Sequence, residues 1–227
     1  MSSLFLNKGD TMAEISFKER VRTELLSAAM QYKSIYLDYE YLICSEAFSK
    51  KNYYIIAAAK DNFMHLTGVN ALVSAQEFFD KCYDGSLSES DFDFSKSGQN
   101  EKSVKGTVRR KIKVLPDMMQ LFHDGLLTEE EFKKNNVICS FAAADGSCTL
   151  GFVDAGKARP KSLIRGNELN NPSAVDLVIR RKAGAQLFDE ILVGDEISLN
   201  KYKDKIKSLI SHSLLGEDED SDNPCTD

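Results

Sequence analysis

Hydrophobic positions recur at helical spacing early in the chain and at strand spacing late in it. Phe17, Val21, Leu25, Ala28 and Tyr32 share one face of a helix. Ser16 and Glu19 form a Ser-x-x-Glu capping pattern before them. The pattern predicts a helix from Ser16 to about Tyr36. Leu37 to Ala47 suits either an extension of that helix or a strand. Ser49 to Asn52 reads as a turn, and Tyr53 to Ala59 as a strand running into a loop that carries His65, Thr67 and Gly68. Ser74 to Tyr83 reads as a short helix that Gly85 stops. Ser86 to Asn100 is polar and reads as loop. Val104 to His123 is helical at least in part, with Pro116 as the start of a second segment, and Thr128-Glu-Glu-Glu-Phe132 reads as a further helix start.

The second half changes period. Val137 to Ala143, Cys148 to Val153, Ala158 to Arg165, Val175 to Lys182 and Leu187 to Val193 are short strand-like runs. Asp145-Gly146 is a hairpin signal between the first two of them. A last helix is expected from Leu199 to Ser211. The expected architecture is α+β, with N-terminal helices packed on a mainly antiparallel sheet. In domain terms this is a flexible lead over residues 1–13, one α+β domain over 14–215 with a polar insert near 86–105, and a disordered acidic tail over 216–227.

Composition narrows the class. The chain has 227 residues, 42% hydrophobic and 28% charged, which suits a globular protein with a sizeable core. Its net charge is −6, yet basic residues gather at 102–113, 157–165 and 180–182. Local patches rather than the total decide whether a polyanion is bound. The five cysteines are odd in number and show no metal-ligand spacing. They are expected as free thiols in a reducing cytoplasm, with no metal and no cofactor. No apolar run reaches the length of a membrane span, and no signal-peptide core is visible. There is no P-loop, no Gly-x-Ser-x-Gly elbow and no calcium-loop spacing.

His65 is one of three histidines, and histidine can take and give a proton near neutrality. The plain alternative is a histidine that hydrogen-bonds a turn. Cleavage of RNA through the ribose 2′-hydroxyl needs a base, an acid for the leaving 5′-oxygen, and cations around the phosphorane. His65, Thr67, Lys161 and Ser162 are the candidates for the chemistry. Arg159, Arg165, Arg180 and Lys182 are the candidates for phosphate binding. Regular alternation would put Arg159, Lys161 and Leu163 on one face of their strand and Ser162 on the other, unless a bulge intervenes.

Phe63-Met-His-Leu-Thr-Gly68 after a strand, followed by Ala75-Gln-Glu-Phe-Phe-Asp80, resembles one of the phage-associated Barnase–EndoU–colicin–RelE-like nuclease families. Arg159-Pro-Lys-Ser-Leu163 and Val178-Ile-Arg-Arg-Lys182 look similar to its downstream strands. The likeness covers roughly residues 20 to 195. It implies a helix-plus-sheet fold used by metal-independent RNases and toxins of phages and mobile elements. His65 is then the leading catalytic candidate, Thr67 its neighbour, and Lys161, Ser162 and Lys182 contributors. The expected substrate is RNA, tRNA or mRNA among them. A second reading is a non-catalytic phage or mobile-element protein that inhibits a host defence complex, for which the acidic tail and polar insert suit a binding module. Its partner would be a host defence protein, and a protein inhibitor is a further expected partner of the nuclease.

Overall fold

The computed structural model describes residues 15–216. The flexible lead expected over 1–13, and the acidic tail apart from Gly216, lie outside them. Helix α1 spans Phe17–Tyr32, and the Ser16 side chain accepts the Glu19 N–H at 3.0 Å as its cap. A π-helical turn, Lys33–Leu37, follows and buries Tyr36, whose hydroxyl donates to the Met118 carbonyl at 2.7 Å. The ambiguous stretch after it resolves as strand β1, Tyr39–Cys44, leading to β2, Tyr54–Ile56.

Helix α2, Lys60–Thr67, replaces the expected loop around His65. Two local devices favour it. Asn62 accepts the Ala59 N–H at 2.8 Å as a cap, and Gly68 closes the other end at a φ of 81°. Phe63 and Leu66 bury its inner face. Strand β3, Asn70–Ala71, and helix α3, Ala75–Asp84, follow, the latter stopped by Gly85 as its sequence predicts. The polar insert is not solvated loop throughout. It contains a short 3-10 turn and strand β4, Phe92–Asp93, and sends Leu87, Phe92 and Phe94 into the core. Its end is the first turn of α4, Glu101–Met118, which Asn100 caps through the Ser103 N–H. Pro116 lies inside that helix and starts no second one. Its flanking residues Val114, Leu115 and Met118 are buried, which offsets the cost of the missing backbone donor.

Strands β5, Leu127–Glu130; β6, Lys133–Lys134; β7, Val137–Ile138; and β8, Phe141–Ala144, come next. The Thr128 segment is therefore strand, not helix. Its side chains are claimed from across the fold: Thr128 donates to the Ala142 carbonyl at 2.8 Å, and Glu130 accepts from the Tyr54 hydroxyl at 2.6 Å. Strands β9, Cys148–Asp154, and β10, Ala158–Arg165, form the expected meander, joined to β8 by the Asp145 turn. Strands β11, Ser173–Ala174; β12, Leu177–Lys182; and β13, Glu190–Val193, precede α5, Glu196–Ile206, and α6, His212–Leu215. The last predicted helix thus begins earlier, at the Asp195 cap, and ends earlier, at Ile206, with α6 a separate turn beyond it.

The main sheet has nine strands in the order β11-β5-β8-β9-β10-β2-β1-β12-β13. All of its pairings are antiparallel but one, and it is curled, so the α+β expectation holds. Helices α1 to α4 cover one face around Tyr32, Phe63, Phe79, Val108 and Phe152. Helix α5 covers part of the other, around Leu42, Ile179, Phe188 and Tyr202. Strand β1 feeds both cores, which is why its buried part, Tyr41 to Cys44, is an unbroken apolar run. The join between β10 and β2 is slight: one parallel pair, Ala158 with Ile56, and the Ala57 N–H to the Ala158 carbonyl at 2.9 Å. Beyond Ala158, β10 pairs with β9 alone. Its other edge is open from there to Arg165.

Candidate functional site: a cationic cleft at the open edge of a strand

The open edge of β10 forms one wall of a cleft of about 380 Å³. Thr107, Arg110 and Lys111 of α4 stand on one side of it, and Lys134, Asn135 and Val137 on the other. Ser162 and Arg165 come from β10 itself, and Lys96 from the loop before α4. Helical periodicity explains the α4 group, since residues three and four apart share a face. Among the described residues that line the cleft, Glu168 is the sole carboxylate, and it pairs with Lys134 at 2.6 Å. Among the described residues, Lys96, Arg110, Lys111 and Arg165 have no carboxylate partner, so a net positive field faces the opening.

Lys111 is the most perturbed group there. Its stem is half-buried against Gly68, and its amine donates to the His65 carbonyl at 2.8 Å. Burial lowers its pKa to about 8, and the nearby Lys96 charge adds to the fall. Gly68 is required on two counts. It has a φ of 81°, and a Cβ there would lie 2.9 Å from Lys111 Cδ. Ser162 is only 8% exposed, yet its hydroxyl has no partner among the described residues. A small donor or acceptor of a ligand would satisfy it.

The expected site residues separate. Ser162 and Arg165 line this cleft. The bulge left open by the sequence is present, between Pro160 and Ser162. It sets Leu163 opposite Leu150 in the core, so Leu163 does not share a face with Arg159. Lys161 lines a different hollow and donates to the Ile138 carbonyl at 3.1 Å. Arg159 is exposed. His65 reaches the cleft through its backbone carbonyl, while its ring is exposed on the last turn of α2. Thr67 is fully buried, and its hydroxyl donates to the Met64 carbonyl at 2.8 Å, a helix-end role. Arg180 and Lys182 lie on β12, three places from β10 in the sheet order. Arg180 is held by Glu190 through two bonds of 2.7 Å. The three basic elements therefore do not converge.

Lys111, Arg110, Thr107, Lys96 and Lys134 were missed from the sequence. One signal was there. Val104, Val108, Lys111, Leu115 and Met118 follow the buried stripe of α4, so Lys111 stands where an apolar residue is due. The thiols are poor alternatives as nucleophiles: Cys44, Cys82 and Cys148 are buried, and burial pushes each up to about 12. Among the described residues, no helix is long and apolar enough to cross a membrane.

Compared with known protein families, residues 24–160 match the model of one described as phage-Barnase-EndoU-ColicinE5/D-RelE like nuclease 4. The match takes in more than half of the chain, α4 and its cleft residues included. Most of β10 and all of β12 lie beyond it. No curated protein and no solved structure matches the chain.

Proposed function

Because the chain belongs to the phage-Barnase-EndoU-ColicinE5/D-RelE like nuclease 4 family, we propose that it cleaves RNA phosphodiesters, without a metal ion, in the cleft between α4 and the open edge of β10. The observation that carries this reading is Lys111: an amine with a pKa lowered to about 8, set among unpaired cations. A neutral amine is a base, and its share grows as pH approaches that value. Neutral Lys111 takes the proton of the ribose 2′-hydroxyl. The 2′-oxygen attacks phosphorus, and the bond from phosphorus to the 5′-oxygen breaks. The products are a 2′,3′-cyclic phosphate and a 5′-hydroxyl. His65, one helix end away from the amine, gives the departing oxygen its proton. Arg110, Arg165 and Lys96 hold the phosphate and offset the growing negative charge, and Ser162 adds a hydrogen bond.

The donor set of the cleft supports a reaction that draws on side chains rather than a divalent ion. Hard cations are held by several oxygen ligands, carboxylates above all. Here one carboxylate stands among cations and is already paired. Origin in a phage or mobile element, and action in the cytoplasm, belong to the same proposal. They rest on the family's name and on the free thiols of Cys44, Cys82, Cys139 and Cys148.

The test is cleavage of total tRNA and mRNA in EDTA by wild type, Lys111→Ala and His65→Ala. Wild type should yield cyclic phosphate ends, and Lys111→Ala should lose on the order of 100-fold in rate or more. Intact RNA after long incubation with wild type would defeat the reading. So would undiminished cleavage by Lys111→Ala.

A further inference from the structure

On the far side of the β6–β7 hairpin from the Lys111 cleft lies a second hollow, of about 470 Å³. The hairpin is the partition between the two. Its cross-strand pairs are Lys133 with Ile138 and Lys134 with Val137. Such pairs share a face, and successive pairs face opposite ways. Lys134 and Val137 accordingly line the cleft, and Lys133 and Ile138 line the hollow. Strand β10 runs beneath both: Ser162 lines the cleft, and its neighbour Lys161 lines the hollow.

The lysines of the hollow fall into two kinds. Lys50 is paired with Glu131 at 2.5 Å, and Lys51 is paired with Asp154. Lys133 has no ion-pair partner among the described residues, and Lys161 is steadied only by the Ile138 carbonyl at 3.1 Å. Among the described residues, two ammonium groups without an ion pair thus remain on this side, beside the already paired Glu131 and Asp154, and a larger unpaired set on the other.

We propose that Lys133 and Lys161 form a second phosphate subsite, so that the protein takes a run of single-stranded RNA lying across the β6–β7 hairpin. This rests on the reading that the Lys111 cleft binds RNA. The scissile phosphate occupies the cleft, and a phosphate further along the same strand reaches the hollow. The two sites lie on opposite faces of the ribbon, which with its side chains is about 10 Å thick. Crossing it therefore takes more than a dinucleotide. A single strand bends over such a ridge, whereas a duplex holds its phosphates on a stiff helix. Each ammonium that meets a phosphate displaces condensed counterions, which makes the subsite visible in the salt dependence of binding.

The experiment uses the full chain carrying Lys111→Ala, so that RNA is bound and not cut. Fluorescence anisotropy compares a uridine dinucleotide, an oligouridylate long enough to pass the hairpin, and an RNA duplex of that same length. The long single strand should bind more tightly than the dinucleotide and than the duplex. Adding Lys133→Gln and Lys161→Gln should remove most of the gain with length. It should also lower the slope of log affinity against log salt by about two. Lys133→Arg with Lys161→Arg should keep both, which separates charge from damage to the fold. If the Gln pair leaves affinity and slope for the long strand unchanged, or if the duplex binds as tightly, the subsite is refuted while the cleft stands. If no RNA binds at all, the RNA reading fails and the subsite with it.

Discussion

Strands β10 and β12 look alike on paper and behave in opposite ways. Each carries several cations in a short run, Arg159 to Arg165 in one and Arg180 to Lys182 in the other. On β12 the two arginines are consumed by the fold, while Lys182 is exposed without an ion-pair partner among the described residues. Arg180 faces Glu190 across the β12–β13 register and stacks 4.4 Å from the Tyr39 ring. Arg181 faces Glu40 across the β1–β12 register, binds it at 2.6 and 2.9 Å, and lies 4.2 Å from the Phe188 ring. Burial raises the Glu40 pKa, but the bonds and charges of Lys157 and Arg181 outweigh that and hold it below the usual carboxylate range. On β10, Arg159 faces Val153 and Arg165 faces Cys148, neither of them charged, Lys161 sits in the bulge, and beyond Ala158 the other edge pairs with no strand among the described residues. Its cations stay available to a ligand. A basic strand is a binding surface only where its neighbours leave it one.

Three variants press on that contrast, beginning with the largest effect. Arg181→Ala leaves Glu40 with Lys157 alone, removes the stack on Phe188, and should cost about 2 kcal/mol of stability, read from urea unfolding. Once allowance is made for unfolded protein, RNA binding per folded molecule should not change. A loss of binding without a loss of stability would erase the distinction between the strands. Next, Arg110→Gln with Arg165→Gln should weaken RNA binding roughly tenfold and reduce its salt slope by about two. The matched pair on β12, Arg180→Gln with Lys182→Gln, should leave binding near wild type. Equal losses from both pairs would mean that the β12 cations also meet the substrate.

The smallest effect concerns pH. If neutral Lys111 is the base and protonated His65 the acid, the rate in EDTA should pass through a maximum and fall on either side, whereas the residual rate of His65→Ala should rise with pH and level off above about 8. Lys96→Gln removes a charge that lowers the Lys111 pKa, so the midpoint should move upward by a fraction of a unit. Stability follows the same proton. Between about 8 and 10.5 the unfolded chain holds a proton on Lys111 that the folded chain has lost. The unfolded state binds more protons there, so this residue's contribution to stability rises with pH across that window and is at its least below it. A pH–rate profile unchanged by Lys96→Gln would place the titrating base elsewhere.

Much of the frame was legible because its causes are local. Ser16 capping Glu19, Gly85 ending α3, the Asp145 turn and the limits of β10 are decided by residues a few positions apart. The helix through His65 was not legible, since eight residues show little periodicity. Its stability comes from Phe63 and Leu66 packing into a core built by distant segments. The Thr128 strand was missed for a related reason. Its acids read as an exposed helix start, whereas Glu129 and Glu130 bind Asn170 and Ser49 far along the chain.

The family, the α+β class and the local clusters of basic residues were thus set by the sequence alone, through periodicity, caps and short motifs. Which of those bases are free was decided only in three dimensions. Arg181 meets Glu40 from 141 residues away, and Lys111 meets the His65 carbonyl from 46. A charge is neutralised, or its pKa moved, by whatever stands within a few ångströms, and no spacing along the chain reports that distance.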